Sequence, residues 1–305
     1  MKAAVILNAS AGSIAASEAS ATVSRVREAF GRSRVEAEIL EISHEDLPAA
    51  ARKAAGSNAD VVVLGGGDGT LSTGAAALVG SPKPLGILPL GTLNHFAKDM
   101  GIPQDLDQAV ATIEQGHVTE VDVGEVNGRI FLNNSSIGLY PSAVSEREEL
   151  RRRHGEGKWL AMLDACVDVF RRFPLLDVTL HVEDRAVALT TPFIFVGNNR
   201  YEMSLFALGT RESLQGGALS LYLTRNGGRI GLLRLAFRAI LGRLEQDRDF
   251  HSFMLPEVEI RSRRRALQVS LDGEVVRMTS PIRYVVRPRA LRVLAPPRAV
   301  LPAKP

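Results

Sequence analysis

Gly65-Gly66-Gly67-Asp68-Gly69-Thr70 follows directly on the apolar stretch Val61-Val62-Val63-Leu64. A turn without Cβ atoms at a strand end lets main-chain amides approach a phosphate closely. Its glycines also permit the positive φ angles that would aim successive N–H groups into one anion-binding concavity. Thr70 and the alanine-rich residues after it read as the start of a helix, whose first-turn amides would add to the same positive site. Two more loops carry small polar groups: Asn8 with Ser10 and Gly12, and Gly91-Thr92-Leu93-Asn94. Far downstream, Leu271-Asp272-Gly273-Glu274 adds two carboxylates. Asp-Gly is also a common hairpin turn, so that segment has a purely structural reading as well.

The elements that would position these residues fall into two grammars. Residues 2–7 form a short buried-type strand, followed by a helical stretch to about Phe30. Val35 to Ile42 reads as a strand, Asp46 to Ala55 as a helix, Asp60 to Leu64 as a strand, Leu85 to Leu90 as a strand, and a helix begins near His95. Strand and helix alternation at this spacing predicts a Rossmann-like, three-layer α/β domain with a parallel sheet, whose ligands sit at the carboxyl ends of the strands. After about Asp122 the pattern becomes strand after strand: Val121–Val126, Arg129–Asn134, Asp177–Glu183, Ala186–Val196, Ala218–Thr224, Glu257–Ser262, Leu267–Leu271 and Val275–Met278. Asn127-Gly128 and Asp272-Gly273 punctuate these strands, which predicts a mainly antiparallel β-sandwich. Helical insertions are expected near 144–173 and 229–246. The predicted domains are 1–123, with 290–305 returning to it, and 124–289.

Composition narrows the class. The chain has 305 residues, 45% hydrophobic and 23% charged, which is an ordinary globular balance. No apolar run reaches the roughly 18–20 residues of a membrane span, and the N-terminus lacks a signal-peptide pattern; a cytoplasmic protein is expected. Cys166 is the single cysteine, so an internal disulfide and a thiolate metal cluster are excluded. The six histidines show no metal-ligand spacing, and only His95 lies in a motif. Residues 1–123 carry 9 Lys+Arg against 15 Asp+Glu, and 124–305 carry 28 against 19. A basic second half suits an anionic membrane leaflet. Nucleic acid is disfavoured by 5% aromatic content and the lack of an RNP-like strand or zinc-finger spacing.

Asn8 to Gly12, Gly65 to Thr70, Leu88-Pro89-Leu90-Gly91-Thr92-Leu93-Asn94-His95-Phe96-Ala97 and Leu271 to Glu274 together resemble the ordered motif set of the diacylglycerol kinase catalytic-domain family, which includes sphingosine and ceramide kinases and bacterial lipid kinases. The resemblance spans residues 2 to about 294. It implies a nucleotide-binding α/β domain, a β-sandwich domain and an active site in the cleft between them. Gly65, Gly66, Gly67, Asp68, Gly69 and Thr70 would cradle ATP phosphates, with Asn8, Ser10, Gly91, Thr92 and Asn94 lining the nucleotide site. Phosphoryl transfer needs positioning and charge neutralisation more than covalent help, so Mg²⁺ on the phosphates is implied, with Asp68 and Asp272 as its candidate protein ligands. Glu274 would be the general base toward a lipid hydroxyl, and Asp68 a phosphate, metal or alternative base residue.

One departure stands out. Many bacterial members of that family carry an acidic Asp-Asp-Gly-x-x-Asp pattern that holds a structural Mg²⁺ in the second domain, whereas Leu214 to Ser220 here has no carboxylate. That site is expected to be absent or weak. The amphipathic stretch 229–244, and the basic run Arg147, Arg151, Arg152, Arg153 and Lys158 beside Trp159, would suit an anionic membrane interface at the inner face. The expected activity is therefore ATP- and Mg²⁺-dependent phosphorylation of diacylglycerol or a related lipid. A soluble NAD-type kinase and a catalytically silent nucleotide-binding regulator are the rivals, and the oligomeric state, a homodimer included, is left open.

Overall fold

The computed structural model describes residues 1–8, 16–138, 175–201, 211, 213–224 and 250–296. Ser10, Gly12, Cys166, the basic run 147–158 and the helical stretches expected at 144–173 and 229–246 lie outside them. The chain divides into two compact units: Met1–Val123 with Arg287–Pro305, and Gly124–Val286.

In the first unit, β1 (Lys2–Asn8), α1 (Ala16–Gly31), β2 (Glu36–Ile42), α2 (Leu47–Ala55), β3 (Val61–Gly66), α3 (Asp68–Ala75) and β4 (Leu85–Pro89) alternate as expected. Two further helices follow, α4 (His95–Asp99) and α5 (Leu106–Gln115). The sheet runs β2-β1-β3-β4, all parallel. Val61 to Leu64 are fully buried, the mark of a central parallel strand covered on both faces. Leaving β2, the chain crosses β1 to lay β3 on its other side. The winding therefore reverses between β1 and β3, the crevice where ligands bind in such sheets.

β5 (His117–Val126), a ten-residue strand, carries the chain onward. β6 (Arg129–Phe131), β7 (Asn134–Gly138), β8 (Leu176–Val182), β9 (Arg185–Thr191), β10 (Phe193–Asn198), β11 (Leu219–Thr224), β12 (Phe250–Leu255), β13 (Glu257–Ser262), β14 (Ala266–Leu271) and β15 (Glu274–Thr279) follow. The last strand, β16 (Ile282–Ala295), begins in the second unit and ends in the first. There it lies parallel to β4 through Val293 and Leu85, and Ala290 O accepts from Gly80 N–H at 2.7 Å.

Within the second unit, β13 pairs antiparallel with β8 and with the start of β16, while β12-β11-β10-β7-β14-β15 form a six-stranded antiparallel sheet. The two sheets share one core. Val178, Leu180, Val258, Ile260 and Tyr284 come from the first, and Ile137, Ile194, Val196, Leu221, Val269 and Leu271 from the second. This is sandwich packing built on period-two alternation. Burial pushes the Tyr284 phenol well above its usual range, although Ser135 Oγ hydrogen-bonds it at 2.8 Å.

Several sequence expectations need correction. The strand expected over Arg129–Asn134 divides into β6 and the start of β7, because the main chain breaks out at Leu132 and Asn133 to grip Asp272. The strand expected over Ala186–Val196 divides at Pro192, which has no N–H for a ladder. α5, β12 and β16 were not foreseen. Asn127-Gly128 and Asp272-Gly273 do form two-residue turns with positive φ at both positions, 46° and 81° at the first and 46° and 93° at the second.

Candidate functional site

The glycine run sits where β3 meets α3. None of its described glycines has a positive φ, which overturns the conformational reason expected for them. Gly67, the N-cap of α3, is extended, with φ −89° and ψ −175°. The requirement is steric instead. A Cβ on Gly66 would come within 2.6 Å of the Thr70 side chain, and one on Gly65 would overlap Leu7. A Cβ on Gly91 would overlap the Gly67 Cα and lie 2.7 Å from Asn94 Oδ1. The β3–α3 turn and the β4–α4 loop thus touch through bare main chain at Gly67 and Gly91. Gly67 has no side chain to cap α3, so no side-chain cap bond closes that helix start at the end of β3.

Two carboxamides and one carboxylate hold this arrangement. Asn8 Nδ2 donates to Thr70 Oγ1 at 3.0 Å, joining the end of β1 to the first turn of α3 at the winding reversal. Asn94, 4% exposed and left-handed at φ 51°, accepts from Gly91 N–H at 3.0 Å through Oδ1. Its Nδ2 donates to Pro89 O, Gly91 O and Gln104 Oε1, at 3.1, 2.8 and 2.9 Å. The Asn94 amide is spent on shaping its own loop, and Gln104, which the sequence did not single out, belongs to the same support. Thr92 is exposed at the loop tip.

Asp68, the first residue of α3, accepts from His95 N–H at 3.1 Å and from Phe96 N–H at 3.0 Å, one on each carboxylate oxygen. It pins the glycine turn to the first turn of α4, where a negative charge is favoured. Replacing Asp68 with Asn would set an NH₂ group against one of these N–H donors, leaving a donor without an acceptor. The expected cost is about 1–3 kcal/mol in urea unfolding, together with weaker ATP binding. A variant with wild-type stability and wild-type ATP affinity would remove Asp68 from this role.

In the second unit, Asp272 caps the 132–134 turn. Its Oδ2 accepts from Leu132 N–H at 2.7 Å, and Oδ1 from Asn133 and Asn134 N–H at 2.8 and 2.9 Å. Glu274, half-buried, opens β15 opposite Leu271.

As candidate Mg²⁺ ligands, Asp68 takes N–H donors from His95 and Phe96 and would suit contact with Mg²⁺ through water, and Asp272 takes three main-chain N–H donors, one on Oδ2 and two on Oδ1. Among the described residues no group of three or more His, Cys, Asp or Glu could hold a metal ion.

Residues 2–126 match the diacylglycerol kinase catalytic domain. An uncharacterized protein of Synechocystis sp. is 26% identical over 79% of this chain and 56% of its own length. A diacylglycerol kinase of Staphylococcus aureus is 41% identical over 30% of each chain. The chain thus aligns with about half of the first relative and under a third of the second. Among solved structures, a diacylglycerol kinase from Bacillus anthracis str. Sterne covers 97% of both chains at 20% identity and TM-score 0.67. Another chain from that organism reaches 0.72 at 23% identity, again over 97% of both. These structures share the fold, an α/β domain with a parallel sheet followed by an antiparallel sheet domain.

Proposed function

We propose that the chain, whose residues 2–126 match the diacylglycerol kinase catalytic domain, is a kinase with ATP as donor that phosphorylates a hydroxyl of diacylglycerol or a related lipid. The observation that carries the reading is the side-chain-free contact of Gly67 and Gly91 between the ends of β3 and β4, at the start of α3, which the Asn8–Thr70 bond ties to the end of β1. That surface suits a polyanion bound by main-chain amides. Asp68 orients it, and Mg²⁺ would accompany the phosphates, neutralising charge on them. Glu274 takes the proton of the acceptor hydroxyl as the new oxygen–phosphorus bond forms; the bond between the γ-phosphorus and the bridging oxygen breaks, and ADP leaves.

Two hydroxyls support an alcohol acceptor. Ser136 and Ser270 are register partners on neighbouring strands, 3% and 1% exposed, and among the described residues neither Oγ has a hydrogen-bond partner. They share their sheet face with Phe195 and Tyr222, opposite the face that gives Ile137 and Val269 to the core. An amphiphile with a hydroxyl or ester oxygen would satisfy them. Arg261, Arg263, Arg264 and Arg265, exposed around the β13–β14 turn, suit anionic headgroups at the cytoplasmic membrane face.

The test is transfer of label from [γ-³²P]ATP to vesicles carrying diacylglycerol, other lipid alcohols or none, with NAD as a soluble acceptor, in neutral and anionic vesicles. Label in a lipid extract is expected, stronger with anionic vesicles; label in NAD alone, or in nothing, overturns the reading. Ser270→Ala should raise stability by about 1 kcal/mol, because an unpaired buried hydroxyl is removed, and should raise KM for the lipid several-fold without changing KM for ATP. Unchanged lipid KM would detach these serines from the acceptor.

A further inference from the structure

Arg211 forms an isolated antiparallel bridge with Tyr201, outside the named strands of the second unit. Its Nη1 donates to Leu132 O at 2.7 Å and Asn198 O at 3.2 Å, and Nη2 to Asn133 Oδ1 at 3.0 Å. The guanidinium carbon stands 5.5 Å from the centre of the buried Tyr201 ring, within cation–π range. These three acceptors are neutral carbonyl oxygens.

Arg211 Nη1 bonds the carbonyl of the peptide joining Leu132 to Asn133, and the N–H of that same peptide donates to Asp272 Oδ1 at 2.8 Å. One peptide dipole therefore lies between a cation and an anion, polarised in the same sense by both, which strengthens each hydrogen bond. Asn198 Nδ2 adds a second donor to the Leu132 carbonyl at 2.9 Å. Next to it, Asn199 ties in the carboxylate-free segment. Its Oδ1 accepts from Gly216 N–H at 2.8 Å, and its carbonyl from Ser220 Oγ at 2.7 Å. Asp272 in turn sets the turn that starts β15 at Glu274.

We infer that Arg211 is a positioning residue: its guanidinium is the built-in cation of this turn and fixes Glu274 through the Leu132–Asn133 peptide and Asp272. The catalytic half of this inference rests on Glu274 being the base of a lipid kinase; the structural half does not. A fork is the right shape, because a single ammonium cannot reach Leu132 O and Asn133 Oδ1 with two fixed donors.

The experiment compares full-length wild type, Arg211→Met, Arg211→Lys, Asp272→Asn and the Arg211→Met/Asp272→Asn double variant. Amide hydrogen exchange at Asn133 and Asn134 should accelerate about tenfold in Arg211→Met, with Arg211→Lys between it and wild type. In the kinase assay, kcat should fall about 10²-fold with KM for ATP unchanged. The double variant should be no slower than Asp272→Asn alone, the non-additivity of residues acting in series. Added millimolar guanidinium should restore part of the Arg211→Met rate. Unchanged exchange at 133–134 overturns the structural half, and faster exchange with undiminished kcat, or additive losses, overturns the positioning half. A wild type without lipid kinase activity, but with the exchange effect present, refutes the function while leaving Arg211 as the cation of the turn.

Discussion

Replacing Glu274 with glutamine is expected to slow phosphoryl transfer by about 10²–10⁴-fold while ATP affinity and thermal stability stay at wild-type levels. Glutamine keeps the size of the side chain and an oxygen acceptor but cannot accept the hydroxyl proton at neutral pH. Position 274 is half-buried on the first residue of β15, outside the 132–134 grip that Asp272 supplies, so the change should leave the turn intact. The loss should fall on kcat, because a base acts in the transition state and not in ground-state binding. Steady-state kinetics with saturating ATP and a vesicle acceptor, beside calorimetric ATP titration, makes the measurement. A Glu274→Gln enzyme retaining more than half its rate would show that another group takes the proton.

Gly91→Ala should be the most damaging single methyl in the first unit. The added carbon would overlap the Gly67 Cα, which is main chain and cannot rotate away, and would press on Asn94 Oδ1. Relief requires shifting either the start of α3 or the loop that Asn94 and Gln104 hold. Overpacking of this kind costs about 1–3 kcal/mol or more. Because the displaced atoms are the proposed phosphate-binding amides, ATP affinity should drop by about 10²-fold. Gly31→Ala is the matched control: nothing lies within 4 Å of its added carbon, so it should leave both quantities unchanged. Equal behaviour of the two variants in thermal melts and ATP titrations would separate the Gly67–Gly91 contact from nucleotide binding.

The strand–glycine–helix turn was legible because its signal is local: four uninterrupted buried residues, then glycines, then a helix start. The reason for the glycines was not. Steric crowding between Gly67 and Gly91 depends on where β4 lies beside β3, and a reader of the chain sees only that glycine permits unusual dihedrals. The hairpin reading of Asp272-Gly273 proved right about the turn, yet the carboxylate's partners at 132–134 lie nearly 140 residues away and left no local trace. Arg211 was invisible for the same reason, since its acceptor Leu132 is 79 residues distant. β16 escaped because Pro288 and its arginines weaken the strand pattern; pairing on both sides of the proline compensates.

The route of β16 also governs how the polypeptide is born. During translation the first unit emerges with the outer rim of β4 bare, before the Arg289 N–H that the Asp122 carboxylate takes at 2.8 Å has been made. All of Gly124–Val286 must leave the ribosome before the strand that closes that rim arrives, a wait of roughly 10–30 s at bacterial or eukaryotic synthesis rates. For that interval the nascent first unit carries an open sheet edge of the kind that recruits chaperones or sticks to its neighbours.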